Sequence, residues 1–126
     1  MTKILIIEDN KENLELMVYL LNHYGYTTVT ALDGQTGLAT AYQEKPDLII
    51  CDIRLPKLDG YKFVQIVKND MNLQAIPLAA VTAYAMVGDE DKIIKLGFDH
   101  YIPKPINPMT FVAEIEDLLP PNLRLR

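Results

Sequence analysis

Five short apolar runs alternate with five segments of helical period along the chain, and no other feature narrows its fold as far. The runs are "KILII", "TTVTA", "LIIC", "PLAAVTA" and "HYI". The segments that follow them are "KENLELMVYLLNHYG", "DGQTGLATAYQEK", "GYKFVQIVKND", "GDEDKIIKLGF" and "NPMTFVAEIEDLLP". In the first of these, Leu14, Met17, Val18, Leu21 and Tyr24 recur at helical spacing. The punctuation agrees: Asn10 and Asp33 predict N-caps, and Gly25 and Gly97 predict stops. The last helix is predicted to start at Asn107 as N-cap, with Pro108 in its first position, and to end at Pro120. The strands are apolar throughout rather than alternating, as burial on both faces requires. The expected fold is therefore α/β, a five-stranded parallel sheet with helices on both faces.

Composition sets the outer bounds. A chain of 126 residues, 49% hydrophobic and 23% charged, reads as one soluble globular domain that can bury a stable core. We assign residues 1–120 to that domain and 121–126, "PNLRLR", to a short frayed tail. The single cysteine, Cys51, lies in an apolar run, which excludes an internal disulfide and suits a reducing, cytoplasmic setting. The start, "MTKILIIEDN", meets acids too early for a signal peptide or a membrane span. A net charge of -5 argues against nucleic-acid binding.

In open α/β sheets, function collects at the carboxyl ends of the strands. There the first strand delivers Glu8 and Asp9, and the third delivers Asp52. The fourth delivers Thr82, followed by Ala83, and the fifth delivers Lys104, followed by Pro105. Each has an ordinary reading alone: an acid caps a helix, a threonine favours a strand, a lysine meets solvent. Together they are harder to dismiss, because three crowded carboxylates repel one another. A cation resolves that repulsion. All-oxygen ligands select a hard metal, Mg²⁺ or Mn²⁺ in its place. Beside such an ion, the Asp52 carboxylate can attack a phosphoryl group. The metal, Thr82 and Lys104 would each take one of the three equatorial oxygens, and amides of the loop after Asp52 would add donors.

These residues, with the "LPKLDG" turn and the "YIPKP" stretch, resemble a response-regulator receiver domain of two-component systems over the whole chain. The resemblance implies a doubly wound sheet of flavodoxin-like order 2-1-3-4-5. It implies that Asp52 accepts phosphate from a histidine kinase or histidine phosphotransfer protein, as a self-catalysed acceptor with slow autodephosphorylation and not as a turnover enzyme. Glu8, Asp9, Asp52 and the backbone carbonyl of Arg54 would hold Mg²⁺. Thr82 and Tyr101 would form a coupled switch, with Gly88 in "AYAMVGDE" absorbing the backbone change. Lys104–Pro105 would be a cis peptide, and a downstream protein effector would meet the fourth helix, fifth strand and fifth helix. Arg54 and Tyr84 fall at positions that vary in the family and flank the phosphoryl group. Leu55 and Leu58 stand where methionine is frequent.

Other readings fit less well. A haloacid-dehalogenase-like phosphohydrolase carries a second Asp two residues after its nucleophile, and here that position is Arg54, which donates no proton. A flavin-binding flavodoxin needs a phosphate cradle after its first strand, where Glu8 and Asp9 would repel the phosphate. A degenerate receiver would lack some of the phosphorylation residues. Finally, Leu16 and Leu20 fall opposite the Leu14–Met17–Val18–Leu21 stripe. They read as ordinary exposed leucines or as a docking patch for a kinase's helices.

Overall fold

In the computed structural model, residues 2–54, 58–83 and 89–125 are described. Along them run β1 (Lys3–Ile7), α1 (Lys11–His23), β2 (Thr27–Ala31), α2 (Gly34–Glu44) and β3 (Leu48–Asp52). Then come α3 (Gly60–Lys68), β4 (Leu78–Thr82), α4 (Asp89–Leu96), β5 (His100–Pro103) and α5 (Phe111–Glu116). A short 3₁₀ turn, Pro121–Leu123, follows. All strand pairings are parallel, in the order β2-β1-β3-β4-β5. The positions Leu55, Tyr84 and Gly88, and most of "AYAMVGDE", lie outside the described residues.

The period of two in each strand divides the core into two clusters. Leu5, Ile7, Ile49, Cys51 and Ala80 pack with Phe63, Val64, Val67 and Ile93 beneath α2, α3 and α4. Ile4, Ile6, Leu48, Ile50, Ala79 and Val81 pack with Met17, Leu21, Phe111 and Ile115 beneath α1 and α5. Every residue of β3 and β4 is buried, because helices cover both faces. The helix starts follow capping chemistry. Asn10, Asp33 and Asp59 accept from the amides of Asn13, Thr36 and Lys62. Gly25 and Gly97 stop α1 and α4 with φ of +94° and +119°, which a side chain would strain.

Two expectations are corrected. The last helix does not begin at Asn107. The Asn107 side chain accepts from the Met109 amide, and its carbonyl accepts from the amides of Thr110 and Phe111, so a separate turn precedes α5. The tail is not frayed. Thr2 Oγ1 donates to the Leu123 carbonyl at 2.6 Å, the Leu125 amide donates to the Tyr26 hydroxyl at 3.0 Å, and Arg124 Nε donates to the Leu119 carbonyl at 2.9 Å.

Candidate functional site

Strand parity builds the site. Glu8 continues the row of Ile4 and Ile6, and Asp52 continues the row of Leu48 and Ile50. Both acids therefore leave the sheet on the face covered by α1 and α5. Thr82 has the opposite parity and continues the row of Ala80, beside which Tyr101 pairs on β5. Thr82 is buried, and Tyr101 is half-buried against the α2–α3–α4 cluster. The two thus share a face of the sheet.

Lys104 arrives from beyond β5. Its amide donates to the Thr82 carbonyl at 2.8 Å, and its peptide bond to Pro105 is cis. Its ammonium donates to Asp52 Oδ2 at 2.9 Å and stands 2.8 Å from Glu8 Oε1. The second of these is an ion contact without hydrogen-bond geometry, and Glu8 Oε1 is buried with no hydrogen-bond partner. Glu8 Oε2 accepts the Asn10 amide at 3.2 Å, and Asp52 Oδ1 accepts the Arg54 amide at 2.9 Å. Asp9 stays exposed, yet one oxygen from each of Glu8, Asp9 and Asp52 lies within 4.8 Å of the others.

The electrostatics are those of an overcrowded rim. Burial first, and then Asp52, which accepts from the protonated form of Glu8 and repels the charged one, push Glu8 up to about 7 against the pull of Lys104. Burial pulls the Lys104 ammonium down, but its close contacts with Glu8 and Asp52 and their negative charge outweigh it and hold its pKa above the usual value. One ammonium facing three carboxyl groups leaves negative charge in excess. An all-oxygen cluster of three acids served by one ammonium fits a small hard dication that keeps some of its waters.

A cavity of about 370 Å³ opens on the Thr82 side of this rim. Ile53, Arg54, Asp59, Tyr61, Lys92 and Ile93 line it with Thr82. Tyr61 and Lys92 carry no motif of their own and were not legible as site residues. The one signal for Tyr61 is its place directly after the "LDG" turn. Leu16 and Leu20 do not face away from the core. Both are half-buried against the α1–α5 cluster, because α1 buries a broad apolar arc between the sheet and α5. Tyr19, 66% exposed and stacked on His23, is the large α1 side chain that stands in solvent.

Comparison with known proteins agrees with this geometry. The chain matches the family described as response regulator receiver domain over residues 4–116. The polar-differentiation response regulator DivK of Brucella ovis is 41% identical over 94% of this chain and 98% of its own length. Its counterpart in Brucella anthropi is 40% identical over 92% and 94%. Among solved structures, the chemotaxis response regulator CheY4 of Vibrio cholerae superposes with a TM-score of 0.88 at 27% identity, covering 94% of this chain and 99% of that one. The receiver domain of a sensor histidine kinase from Pseudomonas aeruginosa superposes with a TM-score of 0.84 at 29% identity, covering 93% and 96%. That structure has a magnesium ion coordinated in its active-site cleft. No described helix of the present chain is long and apolar enough to cross a membrane.

Proposed function

The chain belongs to the response regulator receiver domain family, and from that premise we propose that Asp52 is its phosphoacceptor and that Glu8, Asp9, Asp52 and the Arg54 carbonyl hold Mg²⁺. A receiver domain is a phosphorylation-activated switch of two-component signalling. The observation that carries the finer reading is the buried rim itself, where Lys104 bridges Glu8 and Asp52 beside the exposed Asp9.

The reaction follows from the chemistry of that rim. A carboxylate oxygen of Asp52 attacks phosphorus as the bond from phosphorus to the donor imidazole nitrogen breaks. The imidazole leaves with the bonding pair and takes up a proton from water. The donor is a phosphohistidine on a kinase or phosphotransfer protein in the cytoplasm. When bound, Mg²⁺ would supply charge neutralisation as the phosphoryl group approaches the carboxylates. Lys104, already beside Asp52, moves its ammonium to a phosphoryl oxygen, and the Thr82 hydroxyl donates to another. Drawing Thr82 inward frees space on the face it shares with Tyr101. The tyrosine ring follows, and the α4–β5–α5 surface changes for a protein effector. Hydrolysis of the aspartyl phosphate resets the switch.

Intact mass after incubation with a small phosphodonor and Mg²⁺ tests the assignment. Wild type should gain one phosphoryl group and Asp52→Asn none; equal labelling of both would sink it. NMR of wild type with a beryllofluoride mimic and Mg²⁺ tests the switch. Tyr101 should change environment, and Thr82→Ala should uncouple that change.

A further inference from the structure

The first turn of α2 lies against Leu58, in the loop just ahead of α3, with no space between them. A Cβ on Gly34 would stand 1.9 Å from the Leu58 carbonyl oxygen and 2.8 Å from the Leu58 Cβ. The first clash is with backbone, so no side-chain rotation relieves it. Both walls of this contact are held. Asp33 Oδ1 accepts the Thr36 amide at 2.8 Å and fixes the start of α2. The Leu58 side chain packs against the cluster beneath α2, α3 and α4.

The loop is confined at its other end too. The Gly60 amide donates to the Ile53 carbonyl at 2.9 Å, and a Cβ on Gly60 would stand 2.7 Å from the Ile53 Cα. The Arg54 amide is tied to Asp52 Oδ1. Of the residues between β3 and α3, Leu58 thus meets α2, and Gly60 is held against Ile53, next to Arg54.

We propose that the bare Cα of Gly34 makes the first turn of α2 a wall that sets the position of the β3–α3 loop, and with it the affinity of the rim for a divalent cation. Gly34 is a positioning residue: it touches no ligand and acts through Leu58 and Gly60 on Ile53, and so on the Arg54 carbonyl that follows it. The inference rests on the reading of Glu8, Asp9, Asp52 and that carbonyl as the Mg²⁺ site. Mg²⁺ accepts little departure from octahedral geometry, so a loop displaced by about an ångström loses a ligand.

The test uses Gly34→Ala beside Gly97→Ala. Gly97, at the opposite end of the sheet, has φ +119°, so alanine there strains the backbone without touching the rim. Each protein is titrated with MgCl₂ while the Glu8, Asp9 and Arg54 amides are followed by NMR, and each is unfolded in urea. Gly34→Ala should weaken Mg²⁺ binding by about tenfold or more, the scale on which residues supporting metal ligands act. Gly97→Ala should lower the urea midpoint while its Mg²⁺ affinity stays within about twofold of wild type, as a distant site should. An unchanged affinity in Gly34→Ala overturns the proposal, and so does equal weakening in both variants. If Gly34→Ala does not fold, Leu58→Ala replaces it. That change removes the anchor without adding an atom, and unaltered Mg²⁺ affinity there would also overturn the wall. Wild type that ignores Mg²⁺, or Asp9→Ala that binds it as wild type does, removes the metal reading instead.

Discussion

The two ends of the sheet each bury a glutamate and treat it in opposite ways. At the amino end, Glu116 Oε2 accepts from the Tyr26 hydroxyl at 2.5 Å, and that hydroxyl in turn accepts the Leu125 amide. Neighbouring groups there are paired as well. Asp47 Oδ2 accepts the Lys3 amide, and Asp99 Oδ2 accepts both the Leu78 amide and the Lys68 ammonium. At the carboxyl end, Glu8 Oε1 has only an ion contact, and two more acids crowd it. At the amino end each of these acids meets a donor, and among the described residues there the buried atom without a hydrogen bond is His100 Nε2, 3.7 Å from Glu114; at the carboxyl end three acids share one ammonium. A buried polar network stabilises when satisfied and costs when it is not. The amino end is therefore a lock, and the carboxyl end stores unfavourable electrostatics that a cation relieves.

The largest expected effect breaks the comparison with pH. Without divalent metal, native Glu8 titrates near 7 against 4.5 for an ordinary glutamate. The native state then holds a proton that the unfolded chain has released. Stability therefore falls as pH rises from 4.5 to 7 and levels above that, by at most about 3 kcal/mol for one group. Urea unfolding in EDTA across that range should show the fall, and Glu8→Gln should flatten it. A flat wild-type profile would mean the rim carries no such strain. Metal comes next. Mg²⁺ at a hundred times its Kd should stabilise wild type by about 2.7 kcal/mol, and Asp9→Ala by much less at the same concentration. An equal gain in thermal unfolding would place the ion elsewhere. At the amino end, Tyr26→Phe should cost about 2 kcal/mol, because a buried carboxylate loses a donor. Its Mg²⁺ affinity should not move; a shift would show that the two ends are coupled.

What was legible in the sequence was whatever depends on neighbours along the chain. The period of the apolar residues marked each strand and helix, and Asn10 and Asp33 marked helix starts because a capping side chain bonds amides only three residues away. The convergence of Glu8, Asp9 and Asp52 was also legible, since parallel strands bring their carboxyl ends to one edge. Contacts between distant segments were not. Asn107 has the residue type of a cap, yet its side chain reaches the Met109 amide and closes a turn ahead of α5. Leu16 and Leu20 were read as outward because a simple stripe ignores α5 beside α1. Nothing local in "ALDG" says that Gly34 meets the Leu58 carbonyl.

The tail is the plainest case, and it carries the smallest predicted effect. "PNLRLR" has the composition of a frayed end, and its docking depends on residues about a whole chain away. Thr2, buried at the start of the sheet, donates its hydroxyl to the Leu123 carbonyl. Thr2→Val keeps the shape and removes the donor, so it should cost about 1 kcal/mol, the net worth of one such bond. That is about 3 °C in Tm for a domain of this size. The local effect should be sharper than the global one, because the last turn has few other anchors. Trypsin should cut after Arg124 several-fold faster in Thr2→Val, at a rate that tracks the population of the opened tail. Mg²⁺ affinity should be untouched, which keeps the lock and the rim separate. Cleavage at the wild-type rate would show that the Thr2 bond does not hold the tail, and that the Tyr26 and Arg124 contacts close this end of the sheet without it.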